Sequence, residues 1–313
     1  MSPFDRLLSA ACAAGLLAAA QSAAAAPPTL FVTDLSRLTG GEYAAAVDIN
    51  DAGEVIGYHV DAGGNGHPFL YSPVHGLIDF AALASAPAGT FLSVSDINDR
   101  GQVVGQWGTQ GYLFTPKVGV QFLSDRASEG LQVNEAGEVV VHVQPGLTER
   151  WWQDTGTSVP VPMRGLALNE RGDVAGYLQT GAGQQAAVWN TEGLRLLDTL
   201  PGSADSRAND IADDGTVVGA ADFIDADGAR HARAFLETAT GDVLDLIGPT
   251  FNGLAVHSSA TAIDAAGRVS GSYWTGEGDT RAFFWQTDAG ALDVTSLLDP
   301  LADDGWLIHS LGE

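Results

Sequence analysis

Apolar and polar residues along this chain fall into short runs broken by one recurrent turn. The recurrent string is an aliphatic residue, Asn or Asp, an acid, any residue, Gly, any residue, then Val or Ile. It appears as Ile49-Asn50-Asp51-Ala52-Gly53-Glu54-Val55-Ile56-Gly57 and again as Ile97-Asn98-Asp99-Arg100-Gly101-Gln102-Val103-Val104-Gly105. Looser copies begin at Val133, Leu168, Ile211 and Ile263. The turn glycines are Gly53, Gly101, Gly137, Gly172, Gly215 and Gly267, with spacings of 48, 36, 35, 43 and 52 residues. Spacing that varies around a fixed turn places the length differences in loops.

The pattern predicts a β-hairpin. A strand ends at the aliphatic residue, the Asn or Asp side chain closes an Asx-turn, and Gly takes a left-handed conformation. Alternating Val or Ile then starts the return strand. A second Gly, at 57, 105, 176, 219 and 271, sits inside that strand, where glycine marks a bulge or a close backbone approach. The third copy has Val141 there, which predicts a local distortion. Two more strands follow in each unit. One is aromatic, as in Pro68-Phe69-Leu70-Tyr71 and Ala282-Phe283-Phe284-Trp285. The other is aliphatic with an acid, as in Leu77-Ile78-Asp79-Phe80 and Val243-Leu244-Asp245-Leu246. Tyr71, Phe114, Trp152, Trp189 and Trp285 are expected at equivalent positions, filling space between units. Four short strands per unit, repeated, define an all-β fold: a β-propeller of six to seven four-stranded blades.

The ends carry half-units. Leu30–Leu35 reads as a fourth strand without its first three, and Gly305–Leu311 as a first strand without its turn. The expectation is a ring closed by N- and C-terminal strands, because an open ring leaves strand edges unpaired. Residues 27–313 then form a single propeller-like domain.

Residues 1–25 read as a signal peptide: Arg6, an apolar stretch Leu7–Ala20, then alanines before Pro27-Pro28. Cleavage is expected before Ala25 or Ala26. The apolar stretch is shorter than a spanning helix needs, so the mature chain is expected to be exported, extracellular or periplasmic, without membrane insertion. Cys12, the only cysteine, lies in that segment, which removes disulfides and thiolate chemistry from the mature chain.

Charge narrows the partners. Lys and Arg total 14 against 39 Asp and Glu, a formal net charge of -25. Nucleic acid and anionic membranes repel such a surface. Hydrophobic residues at 45% supply a large core, and 39 glycines fit many tight turns.

The repeat resembles the extracellular HAF repeat, whose strings are similar to A-I-N-D-x-G-x-V-V-G, then H-A-F-L-W, then D-L-G-x-L. The first is matched in copies one and two. The second is matched by His67-Pro68-Phe69-Leu70-Tyr71 and by Arg281-Ala282-Phe283-Phe284-Trp285. The third is matched by Thr33-Asp34-Leu35-Ser36-Arg37-Leu38 and Leu197-Asp198-Thr199-Leu200. The resemblance covers about residues 30–300 and implies an exported bacterial repeat protein. It implies no reaction.

Candidate chemistry is sparse. The Asn-Asp turns cluster oxygens, yet each offers fewer than the six to eight that calcium takes. The longer acidic insertion holding Asp222, Asp225 and Asp227 is the better calcium candidate, and no other cofactor is expected. The seven histidines lack zinc spacing. No Gly-x-Ser-x-Gly elbow is present. Trp107, Trp274 and Trp306 depart from the repeat and are the candidate ligand-binding aromatics, with core packing as the competing use. Catalysis needs a unique cluster of unrelated residues, whereas the distinctive polar residues here recur by copy. That favours a non-catalytic scaffold for a protein or polysaccharide partner. The alternatives are a propeller glycoside hydrolase or lyase using axial acids, and a calcium-stabilised surface protein.

Ring closure generates a test. Deleting residues 27–36 is expected to lower the denaturation midpoint severely. An unchanged midpoint would mean that this segment closes nothing.

Overall fold

The computed structural model describes residues 43–224, 228–252, 254–275 and 280–297. They form six antiparallel sheets, each built from consecutive strands. Blade 1 contains β1 (Tyr43–Ile49), β2 (Val55–Val60), β3 (Gly66–Ser72) and β4 (Gly76–Asp79). Blade 2 contains β5 (Asp96–Ile97), β6 (Val103–Trp107), β7 (Gln110–Thr115) and β8 (Gly119–Phe122). Blade 3 contains β9 (Ser128–Val133), β10 (Glu138–Val143), β11 (Leu147–Trp152) and β12 (Thr157–Val161). Blade 4 contains β13 (Arg164–Leu168), β14 (Val174–Thr180), β15 (Gly183–Asn190) and β16 (Gly193–Leu196). Blade 5 contains β17 (Asp205–Ile211), β18 (Val217–Ile224), β19 (Arg230–Glu237) and β20 (Val243–Asp245). Blade 6 contains β22 (Leu254–Ile263), β23 (Val269–Thr275), β24 (Thr280–Gln286) and β25 (Gly290–Asp293), with the two-residue β21 (Thr250–Phe251) pairing onto β22. The fold is a six-bladed β-propeller. The signal segment and the strands expected to close the ring, Leu30–Leu35 and Gly305–Leu311, lie outside the described residues.

The hairpin turn forms as its residues dictate. Gly53 and Gly101 hold φ of 73° and 69°, and the other four turn glycines are also left-handed. The second glycine is set by crowding. A Cβ on Gly57 would lie 2.2 Å from the Ala45 carbonyl oxygen, and one on Gly105 would lie 2.1 Å from that of Ser93. The close approach accompanies a bulge in the inner strand, between Ala46 and Asp48 in blade 1 and at matching places in blades 3 to 6. Val141 does not distort blade 3. It pairs with Gly130, so the missing side chain has moved to the opposite strand, and the bulge is kept.

One register expectation is corrected. Trp151, not Trp152, stands opposite Val139, the position that Tyr71 takes opposite Val55 in blade 1. Trp151 is buried, while the Trp152 indole Nε1 donates to Glu138 Oε1 at 2.8 Å. Blade 5 departs more. Glu237 occupies the same register opposite Val217. Its buried carboxylate accepts from Arg195 Nη1 of blade 4 at 2.5 Å, so an ion pair replaces the aromatic bridge.

The core is divided among junctions. Five apolar clusters each span two neighbouring blades, from junction 1–2 to junction 5–6. Junction 1–2 packs Ile56, Leu70 and Phe80 against Val94, Ile97 and Phe114. No cluster of described residues joins blade 6 to blade 1.

The two glycine positions should respond differently. Gly53→Ala is expected to cost about 1 kcal/mol, the penalty of a left-handed alanine. Gly105→Ala should cost ~3 kcal/mol or prevent folding, since its Cβ meets backbone rather than a movable side chain. Urea denaturation compares them, and equal costs would refute the close-approach account.

Candidate functional site

The inner-strand ends from all six blades surround one cavity of about 280 Å³ on the ring axis. One position per blade precedes the conserved aliphatic residue: Asp48, Asp96, Gln132, Ala167, Asp210 and Ala262. The polar members reach across the blade junctions. Asp48 Oδ2 accepts from the Ile97 N–H at 2.8 Å, and Asp96 Oδ2 from that of Val133 at 2.6 Å. Gln132 Oε1 accepts from Leu168 at 2.7 Å, and Asp210 Oδ2 from Ile263 at 2.7 Å. The two alanines leave junctions 4–5 and 6–1 without this bond.

A second course of bonds runs through the turn asparagines. Asn50 Oδ1 accepts from the Glu54 N–H at 2.9 Å, which closes its own turn. Its Nδ2 donates to the Asn98 carbonyl in the next blade at 3.1 Å. Asn98 repeats this to Asn134 at 2.9 Å, Asn134 to Asn169 at 3.2 Å, and Asn169 to Ala212 at 3.1 Å. The acids beside them form a third course. The Asp51 N–H donates to Asp99 Oδ1 at 2.6 Å, Asp99 to Glu135 at 2.6 Å, Glu135 to Glu170 at 3.0 Å, and Glu170 to Asp213 at 2.9 Å. Most of the turn oxygens weighed as calcium ligands thus already accept backbone N–H groups, the asparagine oxygens from their own turns and Asp48, Asp96 and Asp99 from across a blade junction.

Burial without counter-cations disfavours the charged form of the axial acids. It pushes the Asp48 carboxyl above its usual range, against the lowering effect of its hydrogen bonds. It pushes Asp210 up to about 6, with backbone donors opposing and the Asp48 charge adding.

The opposite end of the blades gathers most histidines. His142 Nε2 donates to the Gly165 carbonyl at 2.7 Å, which leaves Nδ1 as an acceptor in the neutral ring. Burial holds its pKa down to about 4. His67 Nε2 lies 3.0 Å from Asp61 Oδ2 and stacks on His59 at 5.3 Å. His231, His257 and Trp274 form a continuous stack, with centroids 5.0 and 5.3 Å apart.

The ligand-binding candidates separate. Trp107 meets Tyr112 and Phe122 edge-on and packs against the junction 1–2 core. Trp274 lies flat on His257 at 11°. Trp306 lies outside the described residues, as do Asp225 and Asp227. Asp222 sits near the end of β18, 3.7 Å from Arg230 Nη1. Among the described residues, no group of three or more His, Cys, Asp or Glu is placed to hold a metal ion. The axial role of Asp210 escaped the sequence reading, although aligning the six copies marks its position.

No family model and no curated protein matches the chain. Among solved structures, the β-propeller domain of the Trilobed protease from Pyrococcus furiosus, which has an open velcro topology, is similar at a TM-score of 0.55. It is 12% identical, over 84% of this chain and 84% of that one. TolB from Acinetobacter baumannii is similar at 0.44, with 11% identity over 73% of this chain and 64% of that one. Aleuria aurantia lectin is similar at 0.36, with 10% identity over 80% of this chain and 93% of that one. The first of these likenesses concerns the propeller fold alone.

Two titrations oppose each other. Asp210 binds its proton more tightly folded than unfolded, where its pKa is near 3.9, so it adds stability as pH falls from about 6 to about 4. His142 binds its proton less tightly folded, so it removes stability as pH falls from about 6.5 to about 4. Each limb is on the order of 2 kcal/mol. Asp210→Asn should therefore lose stability towards pH 4 relative to wild type. Parallel denaturation profiles from pH 4 to 8 would contradict the assignment.

Proposed function

We propose that this protein is an exported, non-catalytic scaffold that binds a protein or glycan ligand through a face of its ring. The carrying observation is that the recurring polar side chains at the axis are committed to bonds between blades. Asp210 accepts from Ile211 and Ile263, and Asp48 accepts from Ile49 and Ile97, so both of their oxygens are engaged. The N-terminal segment supports export, and the resemblance to HAF repeats agrees with it. No helix among the described residues is long and apolar enough to cross a membrane.

A second reading has one observation in its favour. Carboxyls of raised pKa facing one cavity are what an acid catalyst in a glycoside hydrolase or lyase requires. The calcium-stabilised surface protein rests on the Asp222 insertion alone.

Glycan arrays and pull-downs with the mature protein separate these readings. A scaffold retains a ligand without altering it. Turnover of a polysaccharide that disappears in Asp210→Asn would replace the scaffold with the enzyme, and calcium-dependent thermal stability would favour the third reading.

A further inference from the structure

The copies diverge at one inner-strand position. Ala45, Ser93, Glu129, Arg164, Arg207 and Ser259 occupy it in blades 1 to 6, each opposite the residue after the second glycine or its equivalent. This position lies towards the end of the inner strand away from the Asn turns. Three successive blades, 3, 4 and 5, place long ionic side chains there, where the others carry Ala or Ser.

Among the described residues these ionic groups have no ion-pair partner. Nine of the eleven described arginines form ion pairs, and Arg164 and Arg207 are the two that do not. In a chain with 39 acids against 14 bases, an arginine without a carboxylate is the exception. Neither Arg164 nor Arg207 donates a side-chain hydrogen bond to a described residue. Glu129 likewise pairs with no described cation.

Arg164 lines a cavity of about 150 Å³ with Glu129, Gln106, Gln144, Ser128 and His142. That volume is the space of roughly five waters, room for one small ring. A guanidinium fork matches a carboxylate in two parallel bonds. Glu129 accepts, His142 Nδ1 accepts, and the two glutamine amides both donate and accept, which suits hydroxyl groups. A simple anion would use Arg164 and be repelled by Glu129. A neutral sugar would leave the guanidinium without an anion.

We infer that this cavity, between blades 2, 3 and 4, is a subsite for one carboxylated sugar residue of the hexuronate class. Arg164 takes its carboxylate, and Glu129, Gln106 and Gln144 take its hydroxyls. The inference rests on the scaffold reading and names its ligand class.

Calorimetric titration of the full protein with glucuronate, galacturonate, the parent hexoses and acetate tests it. A hexuronate is expected to bind on the order of tenfold more tightly than its parent hexose and than acetate. Arg164→Ala should abolish that preference, with folding checked by thermal denaturation. Glu129→Gln should weaken hexuronate more than acetate. Equal binding of hexuronate and hexose, or an unchanged preference in folded Arg164→Ala, overturns the subsite. If neutral glycans still bind in that variant, the scaffold reading stands and only the subsite falls. If no sugar binds and only a protein is retained, the subsite falls and the scaffold's ligand is a protein. If nothing is retained at all, both fall.

Discussion

The turn asparagine does two things with one side chain, and much of the ring depends on both. Its carbonyl oxygen accepts from the N–H four residues on, which closes the hairpin. Its amide donates to the carbonyl of the corresponding turn in the next blade. A primary amide has an acceptor and a donor on one short rigid plane, whereas an ionised Asp only accepts and Ser carries a single oxygen, so neither can replace it fully. The link sets the spacing between inner strands, and the apolar clusters at junctions 1–2 to 4–5 fill the wedge behind it. Where the amide is lost, other groups compensate. Junction 5–6 has Ala212 in place of Asn and relies on Asp210 to Ile263, with Asn209 Nδ2 donating to the Ala260 carbonyl at 2.6 Å. Asp264 in blade 6 turns inward to Arg268.

The hairpin turns, the left-handed glycines and the four-strand units were legible because local chemistry decides them. Register in blade 3 was not. Two adjacent tryptophans differ by one residue, and a strand's period of two sends them to opposite faces, so only the blade they pack against decides which one is inside. The displaced glycine of blade 3 was hidden for a related reason: Gly130 stands eleven positions before Val141, and only pairing brings them together. Asp48 looked like a turn acid because its partner, the Ile97 N–H, is 49 residues away. The repeat itself held the clue to the axial acids and to Glu129, Arg164 and Arg207. A position that recurs serves the ring, and a position that departs from the repeat is free to serve something else.

Charge is distributed unevenly along the axis. At the turn end the axial carboxylates of Asp48, Asp96 and Asp210 accept from backbone N–H groups, while Asp264, Glu135 and Asp173 meet arginines. Most of the arginines are committed to carboxylates at or between blades, as Arg195 is to Glu237. The other end carries Glu129, Arg164 and Arg207 without such partners. One end is therefore largely given to assembly, and the other keeps charged side chains that no described residue pairs.

The most direct test is to break the link while keeping the turn. Asn98→Asp retains an oxygen for the Gln102 N–H but loses the donor to the Asn134 carbonyl and to Gln102 Oε1. It sets a carboxylate against that carbonyl instead. Chemical denaturation at neutral pH should show a loss of ~2 kcal/mol or more, close to that of Asn98→Ala. An Asn98→Asp protein as stable as wild type would show that asparagine serves only its own turn and that something else holds the blades together.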